Sequence, residues 1–440
     1  MIRQTVAGLA ALFLGAGLLL LGHGMLQSLL SIRGDIEGFG ATMIGGVGAA
    51  YYLGFFTGCI FLPQVMRRVG YIRTFSASGA LVAGATLTLG LVVEPWAWLP
   101  VRASMGLAMA TLFMTVESWL HGRVTNDTRG QIFSIYMVVN LGAATLAQQG
   151  LRLAPPGDLT LFGIAAVLIC AGLLPVTLTR SEQPPTPAVV RLDLLSLFRL
   201  SPLGAVGCAL SGLITAPFWA LGPVYAQRLG HDLATATLFM SAVIAGGMIM
   251  QWPLGWVSDR IDRRTVLVAV FAAVTLVGGA MAMASHLQEA VWLAMAAAFG
   301  GTAFCINALC VSHVNDVMTD EDRISVSAGL LLLFGAGAVA GPLLAGAAMA
   351  FTGPGAMFWQ IAGFAAVGFL FGLVRKKARP APPDEQKEPF VAVPRTTPAV
   401  IPLDPRVPSE QAGFDEQTGE LASDHEPDEW PDDYFGDRGS

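Results

Sequence analysis

The residues of this chain that could do chemistry are single polar side chains set in long apolar runs. His23 lies four residues before Gln27, and Tyr136 lies four residues before Asn140. Side chains four apart share one face of a helix, so each pair can contact the same ligand. The full set that we predict to line a ligand cavity is His23, Gln27, Tyr51, Tyr52, Arg102, Tyr136, Asn140, Trp219, Gln251 and Asn307. For any one of them, a hydrogen bond between two helices is an equally good interpretation.

Arg102 is the charge with the most informative position in these runs. It lies near one end of its apolar run, and Glu94, eight residues earlier, is the nearest acid in sequence. If the run crosses a membrane, a long arginine can snorkel to the interface, or it can turn inward toward a ligand or protons. Both interpretations stay open, because the depth of the residue decides between them.

Motifs for catalysis or ATP hydrolysis are missing from the sequence. There is no phosphate-binding loop, no Gly-x-Ser-x-Gly elbow, no metal-type Cys/His spacing and no nucleotide fingerprint. We therefore expect a protein that is not an enzyme and needs no cofactor, metal or nucleic acid. Asp and Glu are also missing from the centres of the apolar runs, so any proton coupling would depend on His23, Glu117 or Asp316.

The elements that position these residues must be membrane-spanning helices. Of the 440 residues 54% are hydrophobic and 13% are charged, with a mean hydropathy of +0.61. A helix needs roughly 20 apolar residues to cross a bilayer, and no segment alternates with the period of a membrane strand. Twelve such segments are predicted, at 6–31, 39–62, 74–93, 97–120, 130–153, 158–179, 202–226, 233–256, 265–284, 290–314, 325–351 and 355–374.

The basic residues between the segments predict the orientation. With the N-terminus in the cytoplasm, nearly all of them fall on the inner side, and only Arg33, Arg152 and Arg228 lie in outer loops. This bias is the positive-inside pattern, and one missed span would scramble it. We therefore predict an all-α membrane protein with both termini cytoplasmic, in a bacterial inner membrane.

The chain divides into two six-helix bundles and a tail. Residues 1–179 and 202–377 form the predicted bundles, and the proline-rich segment 180–201 is a cytoplasmic linker between them. Residues 378–440 are predicted to be a disordered cytoplasmic tail, because acids and prolines are abundant there and large aliphatic residues are few.

Two loops echo each other and carry a family resemblance. Sliding the loop that begins at Pro63 by 192 residues aligns it with Gly255-Trp-Val-Ser-Asp-Arg-Ile-Asp-Arg-Arg264. The second loop resembles the signature Gly-x-x-x-Asp-Arg-x-Gly-Arg-Arg of the major facilitator superfamily, with Asp262 in place of the motif's Gly. Arg102-Ala-Ser-Met-Gly106 is similar to the family's Arg-x-x-x-Gly element. Shorter phrases such as Glu117-Ser-Trp-Leu and His313-Val-Asn-Asp resemble the YcaD-like subfamily of bacterial permeases.

The resemblance implies twelve helices in two pseudo-symmetric bundles and a gate of charged residues on the inner face. By the pseudo-symmetry, Asp259 should face Arg129 at the start of the fifth helix, and Glu117 should pair with Arg123, Arg129 or Arg68. The alternative is that these charges only anchor the topology. The predicted gate comprises Asp259, Arg260, Arg263, Arg264, Arg129, Glu117, Arg68 and Asp316. The first-half loop departs from the family pattern at Pro63 and Arg67.

A glycine-rich stretch in the eleventh segment suggests close helix packing. Gly337, Gly341 and Pro342 let two backbones approach and permit a bend. Packing is their default role, and a bend that changes between states is a further hypothesis.

These features predict a gradient-driven carrier that works by rocker-switch alternating access. Its cavity should be mostly apolar with scattered hydrogen-bonding groups, which suits a neutral or amphiphilic small molecule. Its predicted partners are that substrate, the bilayer and either protons or another coupling ion, and a monomer is expected. The alternative is a transport-fold sensor or scaffold that signals through the tail.

Overall fold

The structure is a computed structural model, and it describes residues 2–121, 126–178, 194–284, 287–318, 323–378 and Phe390. Within these ranges, side chains are not described at 2–8, 121, 126–131, 133, 194–196, 323–325 and 378. The described chain is helical, and it contains no β-strand. The prediction of an all-helical membrane protein is confirmed.

The first half of the chain consists of six long helices. They are α1 (Ile2–Ile36), α2 (Ala41–Val69), α3 (Tyr71–Leu91), α4 (Pro95–His121), α5 (Asn126–Gly150) and α6 (Thr160–Leu178). A short 3-10 turn, Leu151–Leu153, follows α5.

The second half begins with a short helix and continues with seven further helices. They are α7 (Leu194–Leu200), α8 (Pro202–Arg228), α9 (Leu233–Arg260), α10 (Arg263–Ala282), α11 (Glu289–Ala303), α12 (Cys305–Asn315), α13 (Arg323–Thr352) and α14 (Ala356–Ala378). The predicted segment 290–314 is confirmed as one apolar span, Glu289–Asn315, although a turn at Phe304 divides it into α11 and α12. Gly300 and Gly301 precede this turn and pack tightly against α9, where no side chain would fit.

Eleven helical segments of the described chain are long and apolar enough to cross a membrane. The pair α11 and α12 counts as one of them. Helix α5 is 25 residues long but more polar than these, since it contains Asn140, Gln148 and Gln149. The twelve predicted segments thus coincide with eleven apolar spans and one more polar helix.

The same pattern of helix pairing occurs in both halves. In the first half α1 packs on α5 and α6, α2 packs on α4, and α3 packs on α4 and α6. In the second half α8 packs on α13 and α14, α9 packs on α11, and α10 packs on α11 and α14. The halves meet where α2 contacts α13, α5 contacts α9 and α1 contacts α8.

Successive long helices run in opposite directions, so their ends fall on two faces of the molecule. We call the face with Asp35 and Arg228, at the ends of α1 and α8, the Asp35 face. The opposite face carries Asp262, between α9 and α10, and we call it the Asp262 face.

Small residues let the closest helices approach backbone to backbone. A Cβ added to Gly337 of α13 would overlap the Ala209 carbonyl of α8, and one added to Gly212 of α8 would overlap the Phe334 carbonyl of α13. Gly341 lies against Pro217, and Pro342 sits inside the continuous helix α13. Lipid provides no hydrophobic drive between helices, so such close packing is a main source of their association.

Candidate functional site

A cavity of about 260 Å³ lies between the two halves near the middle of the helices. Aliphatic and aromatic side chains form most of its wall, and a few hydrogen-bonding groups interrupt them. The lining residues are Leu20, His23, Gly24, Gln27, Tyr51, Tyr52, Phe55, Phe56, Phe113, Met137, Asn140, Leu141, Ala144, Thr215, Trp219, Gln251, Phe304, Ala308 and Phe334.

Seven of the ten residues predicted for the cavity are among these lining residues. The seven are His23, Gln27, Tyr51, Tyr52, Asn140, Trp219 and Gln251. Helical spacing brings them together because the lining residues of α1 fall at 20, 23, 24 and 27, on one face of that helix. The sequence did not single out the aromatic wall, since a phenylalanine that faces a cavity and one that faces lipid have the same sequence pattern.

Asn307 and Tyr136 are buried but do not line the cavity. Asn307 lies in α12 and is 8% exposed. The Tyr136 hydroxyl donates a hydrogen bond to Oε1 of Glu117, at 3.1 Å. Glu117 is completely buried in α4, so Tyr136 supports an acid and does not face the cavity.

His23, Tyr51 and Arg102 form a polar cluster on the first-half side of the cavity. The Tyr51 hydroxyl and Nε2 of His23 are 3.0 Å apart. The Arg102 guanidinium lies 4.6 Å from the centre of the Tyr51 ring, as a cation–π contact. Arg102 also donates to Oε1 of Gln27 and, at 3.2 Å, to Sδ of Met105.

These contacts decide the orientation of Arg102. The residue is only 2% exposed, and it points between α1 and α2 toward the centre of the first half. Snorkelling to the interface would leave the guanidinium accessible. The inward orientation is therefore the one that the structure adopts.

A second and smaller cavity of about 20 Å³ lies toward the Asp35 face. Arg102, Gln27, Ser31, Trp98 and Ala220 contribute to its wall. Gln27 lines both cavities, so its side chain forms part of the wall between them.

The charged residues of the Asp262 face form a network within the second half. Arg263 is 1% exposed and contacts Asp316 at 2.8 Å and Asp259 at 3.1 Å. It therefore ties α9, α10 and the end of α12 together. The exposed Arg260 stacks on Trp256, with its guanidinium 3.7 Å from the ring centre.

Asp262 caps the N-terminus of α10 and pairs with Arg264. Its carboxylate accepts from the Arg264 backbone N–H at 3.0 Å and forms an ion pair with the guanidinium at 2.9 Å. Partial burial opposes ionisation of Asp262, but the hydrogen bonds and charge of Arg264 outweigh it and hold the pKa of this carboxyl below its usual value. A carboxylate also serves this position well as a helix cap.

Phe390 is a further partner of Asp259 that no sequence pattern predicted. Its backbone N–H donates to both carboxylate oxygens, at 2.9 and 3.1 Å, and its ring covers Gly255. The side chains of Arg129 and Arg123 lie outside the described residues, so the predicted pair of Asp259 with Arg129 stays a prediction. Arg68 is exposed at the end of α2, and the described partner of Glu117 is Tyr136.

The hydrogen bonds and the ion pair described between the two halves lie on the Asp35 face. Arg228 of α8 pairs with Asp35 of α1 at 2.6 Å. The Ser31 hydroxyl donates to the Ala220 carbonyl at 2.6 Å, and Arg152 donates to the Thr237 hydroxyl at 2.9 Å. Sequence reasoning placed Arg228 and Arg152 in outer loops but did not predict that they join the halves, because their partners lie 193 and 85 residues away.

The chemistry of the site is suited to binding. In the part of the chain that the structure describes, no group of three His, Cys, Asp or Glu residues could hold a metal ion. The cavity instead offers hydrogen-bond donors and acceptors on an aromatic wall, between two halves that meet through α2 and α13, α5 and α9, and α1 and α8. Such a site can hold a small molecule between two movable bundles.

Comparison with known proteins shows which class this architecture belongs to. Residues 12–315 match the family model of the Major Facilitator Superfamily, and the chain belongs to that family. Its relatives are transporters rather than enzymes.

Relatives and solved structures agree with this assignment. The chain is 28% identical over 357 residues to an uncharacterized MFS-type transporter of Yersinia pestis (strain Pestoides F), covering 80% of this chain and 89% of the relative. It is 25% identical over 363 residues to the uncharacterized MFS-type transporter YcaD of Escherichia fergusonii, covering 82% and 93%. The crystal structure of the nucleoside transporter NupG superimposes with a TM-score of 0.71 at 16% identity, covering 84% and 99%.

Proposed function

We propose that this protein is a gradient-driven transporter that carries a small, largely apolar molecule across a bacterial inner membrane by alternating access. The observation that carries the proposal is the cavity of about 260 Å³ at the interface of two similarly built bundles. A binding site between two bundles is exposed to one side or the other as the bundles rock. We count α5 as the twelfth span and place both termini in the cytoplasm, as the distribution of basic residues favours.

The distribution of contacts supports an inward-facing state. The hydrogen bonds and the ion pair described between the halves lie on the Asp35 face, which the charge bias assigns to the outside. Among the described contacts, the network of Arg263, Asp259 and Asp316 on the opposite face joins helices of the second half. In this state the described contacts between the halves close the outer side of the cavity.

The composition of the cavity wall supports an apolar or amphiphilic substrate. Phenylalanine, tyrosine and tryptophan side chains face the cavity from α2, α4, α8, α13 and the turn at Phe304. Polyols and sugars need a dense array of polar partners, whereas this wall supplies only a few. No observation favours a sensor or scaffold function.

The test is whether a ligand drives the two faces in opposite directions. A ligand is first found by screening compounds for a rise in melting temperature of the detergent-purified protein. Spin labels are then placed on Glu94 and Gln288 on the Asp35 face, and in a second protein on Arg68 and Lys376 on the Asp262 face, after replacing the five native cysteines. Labelled exposed positions report the separation of the halves without touching the cavity.

Alternating access predicts opposite changes in the two distances. If both conformations are present, a ligand that shortens the Arg68–Lys376 distance should lengthen the Glu94–Gln288 distance. Uptake of the same ligand into proteoliposomes should follow its gradient. If both distances stay single and fixed with the ligand bound, and no uptake is measured, the proposal is wrong.

A further inference from the structure

The strongest clue to the chemistry of the substrate is the buried charge of Arg102. This side chain is 2% exposed, and its described hydrogen bonds go only to neutral acceptors, the Gln27 amide and the Met105 sulfur. Its Nε–H has no hydrogen-bond partner among the residues that the structure describes. A guanidinium keeps its charge under all physiological conditions, so a full positive charge is held here.

An uncompensated charge at this position is energetically unfavourable. Burying an ion without a counter-ion is costly, and a cation–π contact with Tyr51 offsets only part of that cost. Among the described residues the ion pairs involve Arg33, Arg228, Arg263 and Arg264, and Arg102 pairs with no carboxylate. A charged residue retained in a membrane span at such a cost marks a functional site.

The Nε–H of Arg102 lies behind Gln27, whose side chain separates it from the main cavity. Nε and Nη2 form the side of the guanidinium that binds a carboxylate with two parallel hydrogen bonds. Nε is unoccupied, and Nη2 is held by Gln27, which lines the main cavity. Rotation of the Gln27 side chain would expose both donors to a molecule in that cavity.

The rest of the cavity defines the rest of the ligand. Among the described residues that line the two cavities, Arg102 carries the one full charge, in the small cavity beside the aromatic and aliphatic wall, so it balances one negative charge and not two. The aromatic residues that would contact an apolar body are Phe55, Phe56, Phe113, Trp219, Phe304 and Phe334.

We propose that the substrate is an amphiphilic monoanion, a compound with an apolar body and one carboxylate that displaces Gln27 from Arg102. This inference rests on the proposed transport function and names its substrate class. It narrows the neutral or amphiphilic substrate expected from the sequence to the anionic, amphiphilic kind.

The test compares matched acids and amides on the full chain in a non-ionic detergent. Phenylbutyrate and naphthoate are compared with phenylbutyramide and naphthamide, and decanoate is added as a compound that a bilayer could supply. Melting temperatures are measured for the wild type, Arg102→Gln, Arg102→Lys, Arg102→Met and the exposed control Arg67→Gln.

The acids should stabilise the wild type and Arg67→Gln more than their amides do. The dissociation constant of the acids should rise at least about tenfold in Arg102→Gln, and less in Arg102→Lys, which keeps the charge but loses the fork geometry. Stabilisation by decanoate alone would identify a lipid-derived acid, and stabilisation by the aryl acids a soluble one. Both outcomes support the proposal.

Equal stabilisation by acids and amides, or unchanged acid binding in Arg102→Gln, would overturn it. If no compound shifts any melting curve, the melting temperatures of the ligand-free wild type and Arg102→Met test whether Arg102 carries an uncompensated charge. Arg102→Met should then melt higher than the wild type because the buried charge is gone, and a lower melting temperature would show that Arg102 is a structural residue. Neutral compounds that bind and enter proteoliposomes would refute the anion while preserving transport. Acids that bind but never enter would refute transport while preserving the site.

Discussion

At the scale of single residues, the first half holds a buried acid that a tyrosine of the neighbouring helix hydrogen-bonds. Glu117 is fully buried in α4, and the Tyr136 hydroxyl of α5 donates to it at 3.1 Å. Both side chains were predicted to be functional, one in the gate and the other in the cavity. Their contact indicates that they act as a pair that joins two helices, and the pair remains a candidate for proton coupling.

Replacing Tyr136 with Phe should destabilise the protein. The substitution removes one donor from a buried carboxyl group, and such a loss costs about 1–3 kcal/mol. The melting temperature in non-ionic detergent should fall, whereas Tyr434→Phe in the tail should leave it unchanged.

A double-mutant cycle with Glu117→Gln tests whether the two side chains act as a pair. The cost of the double substitution should be smaller than the sum of the two single costs, because the second change removes the partner of the first. Additive costs would mean that the two residues stabilise the protein independently.

At the scale of the elements, the interface between α8 and α13 depends on glycines. Gly337 of α13 lies directly against the Ala209 carbonyl of α8, so there is no space for a methyl group. Gly363 of α14 offers a matched comparison, since a Cβ at that position would meet no atom within 4 Å. Both residues lie inside long helices.

Alanine should therefore have opposite effects at the two glycines. Gly337→Ala should lower stability by about 1–3 kcal/mol, because the helices must separate to admit the methyl group. Gly363→Ala should raise it by up to about 1 kcal/mol, because alanine is the better helix former. Thermal melting of the purified proteins measures both, and a Gly337→Ala protein that melts like Gly363→Ala would show that the interface yields without cost.

A second feature at this scale is the contact between Phe390 and the end of α9. The ideal Cβ position of Gly255 lies 2.8 Å from Cγ of Phe390. Two cysteines at these positions would place their Cβ atoms near the separation of ~3.8 Å that a disulfide needs.

The double variant Gly255→Cys with Phe390→Cys should cross-link under mild oxidation. In a chain without native cysteines, mass spectrometry of the digested protein should find the two peptides joined. Gly255→Cys with Phe414→Cys serves as the control, because it places a tail cysteine 24 positions further along. Equal cross-linking in both variants would indicate random collision and not docking at Gly255.

At the scale of the whole molecule, the ion pair of Asp35 with Arg228 joins the two halves. It links the end of α1 to the end of α8, and the two side chains are 20% and 30% exposed. Partly exposed pairs contribute little to stability, roughly 0.5–1 kcal/mol. This is enough to shift an equilibrium between two conformations by about two- to fivefold.

Asp35→Asn should make the cavity more accessible from the Asp35 face. With Asn140→Cys as the reporter in a chain without native cysteines, a membrane-impermeant maleimide added to intact cells should label Asp35→Asn about two- to fivefold faster than the parent. The exchange of Asp35→Arg with Arg228→Asp should restore the slow rate.

The control for this measurement is Glu37→Gln. It breaks the Arg33–Glu37 pair, which lies within and just beyond α1 and joins nothing across the interface. A rate in Asp35→Asn no higher than in Glu37→Gln would mean that the Asp35 pair does not hold the halves together.

The sequence alone determined the helical membrane fold and much of the cavity wall. Long apolar segments have one stable form in lipid, and helical periodicity within a segment places His23 and Gln27 on one face. These are local properties, which is why seven of ten predicted cavity residues line the same space. The motif of the charged loop at Gly255–Arg264 could also be recognised from the sequence, because its residues are contiguous.

Only the tertiary structure decided which side chains meet across helices. It turned Arg102 inward onto Gln27, paired Asp35 with Arg228, and placed Phe390 on Asp259. Each of these contacts joins residues at least 75 positions apart, so no local pattern encodes it. The physical reason is that the bilayer fixes where each helix begins and ends, whereas close packing of small residues fixes which faces of the helices touch.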